Sequence, residues 1–356
     1  MTQLKVGIIG CGRPRQTEGA TGFGQGRLHA MGYKATSDCV LAAAADIRSD
    51  NLELFCQEHH IPNGYLDYKE MLAKEALDIV SVCLWPHLHA PVVIDVARAG
   101  VKAIHAEKPM APTWGEAKKM VAVCEENHVQ LTINHQRRCG QPFRKAKALL
   151  DAGAIGQLLR LEGFCSNLFD WGTHWFDMMF FYNNETPAKW VIGQLDARGG
   201  PSIFGVRVEG QGLSYIEWQN GVHGLLVTGR GDVAQQDEMT MGNRLVGTEG
   251  MIEVGAKDGP LVRLRSPETG GRWQAVEVEG TLHGNEHVVT GIIDLVDALK
   301  NSREPELSGR RALQATELIF ATYESSRKRG RVDLPLEIED SPLLAMLEAG
   351  VLETDS

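Results

Sequence analysis

Chemistry is most legible at Gly10-Cys11-Gly12, which follows the apolar run Leu4–Ile9 without a break. After a strand, the first glycine permits a tight turn and the second lets the backbone approach a pyrophosphate. A helix beginning there adds N–H groups and a positive dipole end. In a G-x-G-x-x-G fingerprint the third glycine would fall at position 15, which is Arg15. The candidate is Gly26, in Gly26-Arg27-Leu28-His29-Ala30, which makes Arg13–Gln25 an insertion where pyrophosphate would bind. Asp46 closes a second apolar run, Val40–Ala45. A carboxylate there can accept hydrogen bonds from both hydroxyls of an adenosine ribose and repels a 2′-phosphate, pointing to NAD ahead of NADP. Arg48, two residues on, could instead receive that phosphate, and Asp46 could simply cap a helix.

The second group is Lys108, Asp170 and His174. Moving hydride from a secondary alcohol needs a base for the hydroxyl proton and a donor for the developing alkoxide. If residues 170–177 are helical, 170, 174 and 177 share one face. His174 then exchanges a proton near neutrality, with Asp170 to orient it or to bind a substrate hydroxyl. The plainer alternatives are a solvated Lys108, a capping Asp170 and a core His174. Trp171 and Trp175 flank His174 as sugar-stacking faces or as core. His283 and His287 have zinc-like spacing but no third ligand in a familiar arrangement, so a helix start or a solvated face is the simpler reading, and no metal is expected.

The elements that must position these groups follow from hydrophobic pattern. Apolar runs at Leu4–Ile9, Val40–Ala45, Leu77–Leu84, Val101–Ala106 and Val129–Ile133 alternate with helical patterns at Ser49–His59, Pro91–Gly100 and Thr113–Asn127. That alternation predicts βαβ units and a doubly wound parallel sheet. Beyond a helix at Gln141–Ala152 come strands at Leu158–Phe164, Trp190–Leu195, Val206–Glu209, Ser214–Trp218 and Val222–Val227. The Gln219-Asn220-Gly221 turn indicates antiparallel pairing. A short helix at His174–Phe181 interrupts the strands, and long helices return at Glu286–Lys300 and Arg310–Lys328.

The 356 residues suit two domains, divided here as 1–134 and 135–356. A net charge of −10 excludes a general phosphate-backbone binder, so nucleic acid is not an expected partner. Arg327-Lys328-Arg329 reads as a helix end. Seven scattered cysteines without a CxxC oppose a disulfide framework. No membrane-length apolar run and no signal-peptide pattern occur, which points to a cytoplasmic protein with no membrane partner.

At His105-Ala106-Glu107-Lys108-Pro109 the chain resembles the glucose–fructose oxidoreductase / inositol dehydrogenase (Gfo/Idh/MocA) family. Further matching pieces fall in order along nearly the whole chain: Pro86-His87-Leu88-His89, Gln136-Arg137-Arg138, Ala154-Ile155-Gly156, Asp170 through Asp177, Gly247-Thr248-Glu249-Gly250, and the ending from Tyr323 to Leu336. The resemblance implies an α/β protein: an N-terminal Rossmann domain, then an α/β domain with a large, mostly antiparallel open sheet. That sheet would pack on another copy, giving a homodimer or homotetramer. The implied activity is NAD(H)-dependent transfer of hydride to or from a secondary hydroxyl of a sugar, sugar derivative or cyclitol. The resemblance assigns catalysis to Lys108, Asp170 and His174. Gly10, Gly12, Gly26, Asp46, Pro86, His87, His89, Glu107 and Lys108 fall to the cofactor, and Arg138, Trp171 and Trp175 are substrate candidates. Two departures, Trp85 before Pro86 and His87 where Asn is frequent, bear on the nicotinamide or ribose contacts. Two other activities fit the same fold: an NAD-dependent glycosidase using transient oxidation, and a nucleotide-binding regulator without turnover.

Overall fold

The computed structural model describes residues 3–13, 17–18, 24–229 and 242–353. Contacts divide the chain into two compact units. The first comprises Met1–Ala111, Glu116–Gln136 and Asn285–Ala312; the second comprises Pro112–Gly115, Arg137–Gly284 and Leu313–Ser356.

In the first unit, β1 (Leu4–Ile9), β2 (Cys39–Ala45), β3 (Asn63–Tyr65), β4 (Ile79–Val82), β5 (Ala103–Ala106) and β6 (Gln130–Ile133) form one sheet in the order β3-β2-β1-β4-β5-β6. Every strand pair in it is parallel. β4 and β5 are buried throughout, as continuous apolar runs require when helices cover both faces. The helices are α1 (Gln25–Lys34), α2 (Ser49–His59), α3 (Tyr68–Lys74), α4 (Pro86–Arg98) and α5 (Trp114–Glu126). The helix expected from Pro91 begins five residues earlier, at Pro86. Proline in the first turn loses no helical hydrogen bond there, so it starts the helix. A later helix, Asn285–Asn301, crosses α1 closely. A Cβ on Gly32 would lie 2.6 Å from Ile292, so glycine is what admits this approach.

In the second unit, α6 (Gln141–Asp151) precedes β7 (Leu158–Cys165), and α7 (Thr173–Tyr182) precedes β8 (Ala188–Asp196). Short β9 (Ser202–Ile203) and β10 (Val206–Arg207) pair as a separate ribbon. β11 (Gln211–Trp218) and β12 (His223–Gly229) form a hairpin whose turn places Gly221 at φ 81°. β13 (Asn243–Gly247), β14 (Met251–Val254), β15 (Val262–Arg265), β16 (Gln274–Ala275) and β17 (Val332–Asp333) complete a nine-stranded sheet. Its order is β16-β15-β14-β13-β7-β12-β11-β8-β17, and only β12–β7 is parallel. β13 to β16 escape sequence patterning because they are short and mix charged with apolar residues, as in Val262-Arg-Leu-Arg265. Gly309–Lys328 and Pro342–Glu348 are the closing helices.

Candidate active site

The glycine turn lies at the C-terminal ends of parallel strands. A Cβ on Gly10 would meet the Cys83 carbonyl oxygen at 2.3 Å, and one on Gly26 would meet the Gly10 oxygen at 2.6 Å. Gly10 and Gly12 both take positive φ. The three positions the sequence selected thus stand together, and a side chain on Gly10 or Gly26 would collide with the backbone of the turn. Helix α1 starts at Gln25 with no side-chain cap and no acidic residue in its first turn, which suits a phosphate. Arg27, given no role in the sequence reading, donates to the Cys11 and Gly12 carbonyls and so pins the turn. Arg13 reaches Asn51 and Asp50; residues 14–16 and 19–23 of the Arg13–Gln25 insertion lie outside the described residues.

Asp46 is partly buried beside this turn. One carboxylate oxygen accepts from the Cys11 and Gly12 amides and the other from the Arg48 amide. The second oxygen keeps a lone pair for a ribose hydroxyl. Helix α2 begins beyond it, with Arg48 in the cap position, so Asp46 is not the N-cap. The Arg48 guanidinium is engaged by Asp50. Glycine cradle, uncapped helix and ribose-side carboxylate together fit a dinucleotide.

Lys108 follows β5 and is half-buried, and its peptide bond to Pro109 is cis. Beneath it lies a polar network. His29 Nε2 contacts Glu107 at 2.9 Å, and the Asn134 amide donates to the same carboxylate oxygen at 2.8 Å. His29 Nδ1 contacts Ser81 Oγ, which also meets Tyr33 Oη. Burial works to raise the Glu107 pKa, but the His29 hydrogen bond and charge, with Asn134 and Lys108, bring it down to about 2. The ring of His89 faces two carbonyls, Pro109 at 2.8 Å and Leu84 at 2.9 Å. Glu107 and His89 were both expected among the cofactor contacts. Their side chains are instead taken up inside the unit, where they fix the backbone on either side of Lys108. Pro86 is buried, whereas His87 and Trp85 are exposed with their rings edge to face.

In the second unit, Asp170 lies in a turn of π-helix, Leu168–Gly172, that runs into α7. The turn is closed by Gly172 N–H to Asn167 O. The wider turn departs from the expected α spacing between Asp170 and His174. Asn167 is the cap: its side chain accepts from the Asp170 amide. Glu209, fully buried and not foreseen, accepts from the Leu168 amide, Thr228 and Tyr323. Burial raises its pKa to about 6 against these hydrogen bonds. His174 is buried, at 3% exposure, in the first turn of α7.

Two adjacent arginines differ sharply. Arg138, a substrate candidate from sequence, is fully buried and bonded to Asp177 at 2.7 Å and Glu185 at 2.5 Å. Trp175, another candidate, is also fully buried and donates to the Phe164 carbonyl. Neither offers its polar group to a ligand. Trp171 is half-exposed, and the His283 ring meets it edge-on at 5.7 Å. Arg137, which the sequence reading passed over, lies over Trp175 at 4.5 Å and Trp171 at 5.3 Å. Among the described residues no group of three metal-binding side chains occurs, and no helix is long and apolar enough to cross a membrane.

Residues 4–135 match the family model for the oxidoreductase family with an NAD-binding Rossmann fold, and residues 165–334 match that family's C-terminal alpha/beta domain. D-apiose dehydrogenase of Paraburkholderia graminis is 26% identical over 98% of this chain and 95% of its own length. Myo-inositol 2-dehydrogenase of Thermotoga maritima is 28% identical, but over 43% of this chain and 42% of that protein. Levoglucosan dehydrogenase, solved with NADH and levoglucosan, superposes with a TM-score of 0.75 at 20% identity, covering 94% of this chain and 100% of that one. On the two family-model matches, together with the glycine turn and the strand order, the chain belongs to the Gfo/Idh/MocA oxidoreductase family.

Proposed function

We propose that this chain is an NAD-dependent dehydrogenase acting on a secondary hydroxyl of a sugar, sugar derivative or cyclitol. The observation that carries the reading is the Gly10–Gly12–Gly26 cradle with Asp46 beside it. The inositol and apiose dehydrogenases among its relatives support the substrate class.

The chemistry that a bound dinucleotide would supply is hydride exchange at its nicotinamide. Lys108 donates to the substrate oxygen and stabilises its developing charge, while His174 takes the hydroxyl proton and Asp170 orients the substrate or the imidazole. His174 is shielded from bulk water, which limits competing proton exchange. Glu107 and His89 act at one remove, by holding the backbone that carries Lys108. Residues 1–134 are assigned to the nucleotide and 135–356 to the substrate, although Asn285–Ala312 packs with the first unit and Pro112–Gly115 with the second.

The large sheet is the proposed self-association surface. Along β8 and β11 one face is buried and the other is not, leaving Ile192 and Leu213 exposed and the Trp190 ring tilted against Tyr215 at 5.9 Å. A second copy would cover this face. A cytoplasmic location completes the proposal.

The test is NADH formation from NAD and a panel of sugars and cyclitols. Lys108→Ala and His174→Ala should each lower kcat by about 10²–10⁴-fold, with NADH affinity retained in His174→Ala. Turnover unchanged in both variants would refute the assignment.

A further inference from the structure

Arg137 sits in the 3₁₀ turn Gln136–Cys139 at 3% exposure. Burial pulls its pKa down to about 9. Among the described residues no carboxylate pairs with it. Its surroundings are the faces of Trp175, Trp171 and Phe143. Nη1 donates to the Leu282 carbonyl at 2.9 Å, Nη2 donates to His283 Nδ1 at 3.0 Å, and Nε has no acceptor among the described residues. Nε and Nη2 are the side-on edge with which a guanidinium grips a planar carboxylate in two parallel bonds. One member of that edge is unsatisfied, and the other is held by the exposed side chain of His283. Because His283 accepts at Nδ1, its ring contributes one neutral lone pair, a weaker partner than an anion.

Resting on the dehydrogenase reading above, we propose that the Nε–Nη2 edge of Arg137 receives a carboxylate of the substrate, so that the substrate is a sugar acid, an aldonate or a uronate. On binding, His283 swings off Nη2 and the carboxylate makes two charge-assisted hydrogen bonds in its place. Leu282 keeps Nη1 anchored, so the guanidinium stays in register. Half-exposed Trp171, part of the Asp170 turn, offers its face to the C–H side of the sugar. The acid is thereby read in the same unit that carries Asp170 and His174.

The experiment uses the full chain loaded with NADH for calorimetric binding, and with NAD for turnover. The ligands are gluconate, glucuronate and galacturonate, each beside its neutral counterpart (glucitol, glucose, galactose), plus glucose 6-phosphate. At least one acid should exceed its neutral counterpart about tenfold or more in affinity or kcat/KM. Arg137→Lys keeps a charge but loses the side-on edge, and should reduce that preference about tenfold or more, chiefly through KM. His283→Ala, a surface change that leaves folding intact even if Arg137→Lys does not, should keep or increase acid affinity. Neutral sugars or the phosphate matching every acid, or His283→Ala abolishing acid binding, would overturn the proposal. Failure of NADH itself to bind would refute the dehydrogenase reading instead, which keeps the two failures distinct.

Discussion

Glu107 and Arg137 are both charges taken out of water, yet their surroundings differ in kind. Glu107 is enclosed by His29, the Asn134 amide and the charge of Lys108, and its acidity increases accordingly. Arg137 has aromatic faces, one carbonyl and one imidazole, and its basicity falls. A buried charge with its full set of partners is scaffolding, because nothing further can improve it. A buried charge with an open edge has favourable interaction left to form, and a ligand can supply it. Arg137 and Arg138 sharpen the contrast: they are adjacent in one turn, but Arg138 faces Asp177 and Glu185.

The contrast breaks most visibly under mutation. Glu107→Ala removes the acceptor for His29 and Asn134 and should destabilise the protein by about 3–5 kcal/mol in chemical denaturation. A loss below about 1 kcal/mol would mean the network is not matched as described. Arg138→Met strands two carboxylates and should cost about 3 kcal/mol, whereas Arg137→Met strands none and should stay within about 1 kcal/mol of wild type. Equal losses in the two arginine variants would erase the distinction between them.

Acidity offers a finer probe, because two buried carboxylates have opposite signs. Glu107 has a folded pKa of about 2, below its unfolded value, so its contribution is present above the unfolded pKa and is lost as pH falls toward 2. Glu209 has a folded pKa of about 6, above its unfolded value. Its contribution is present below the unfolded pKa and is lost as pH rises through about 6. Denaturation midpoints followed from pH 3 to 7 should therefore show Glu107→Gln flattening the acid limb, at most about 1.4 kcal/mol per pH unit, and Glu209→Gln flattening the opposite one. The same slope in both variants would contradict the assignment.

Most of the first unit was readable because continuous apolar strands and amphipathic helices alternate there, and the Gly10, Gly12, Gly26 and Asp46 set follows from that register. Partners distant in sequence were not readable. His29 and Glu107 are far apart along the chain and carry no local signal of their pairing. Neighbouring arginines are chemically identical on paper, so choosing Arg138 over Arg137 required knowing which way a 3₁₀ turn points each side chain. The Asp170–His174 spacing assumed an α-helix, and the π turn of Leu168–Gly172 could not be inferred from residue types. β13 to β16 were missed because mixed charge masks their alternation.

The central claim is tested most directly by titrating the protein with NADH and NADPH, following tryptophan-to-nicotinamide energy transfer, in wild type and in Asp46→Ala. Wild type should bind NADH about tenfold or more tightly than NADPH, and Asp46→Ala should lose most of that preference. Absence of binding by either nucleotide, or a preference for NADPH in wild type, would contradict the account.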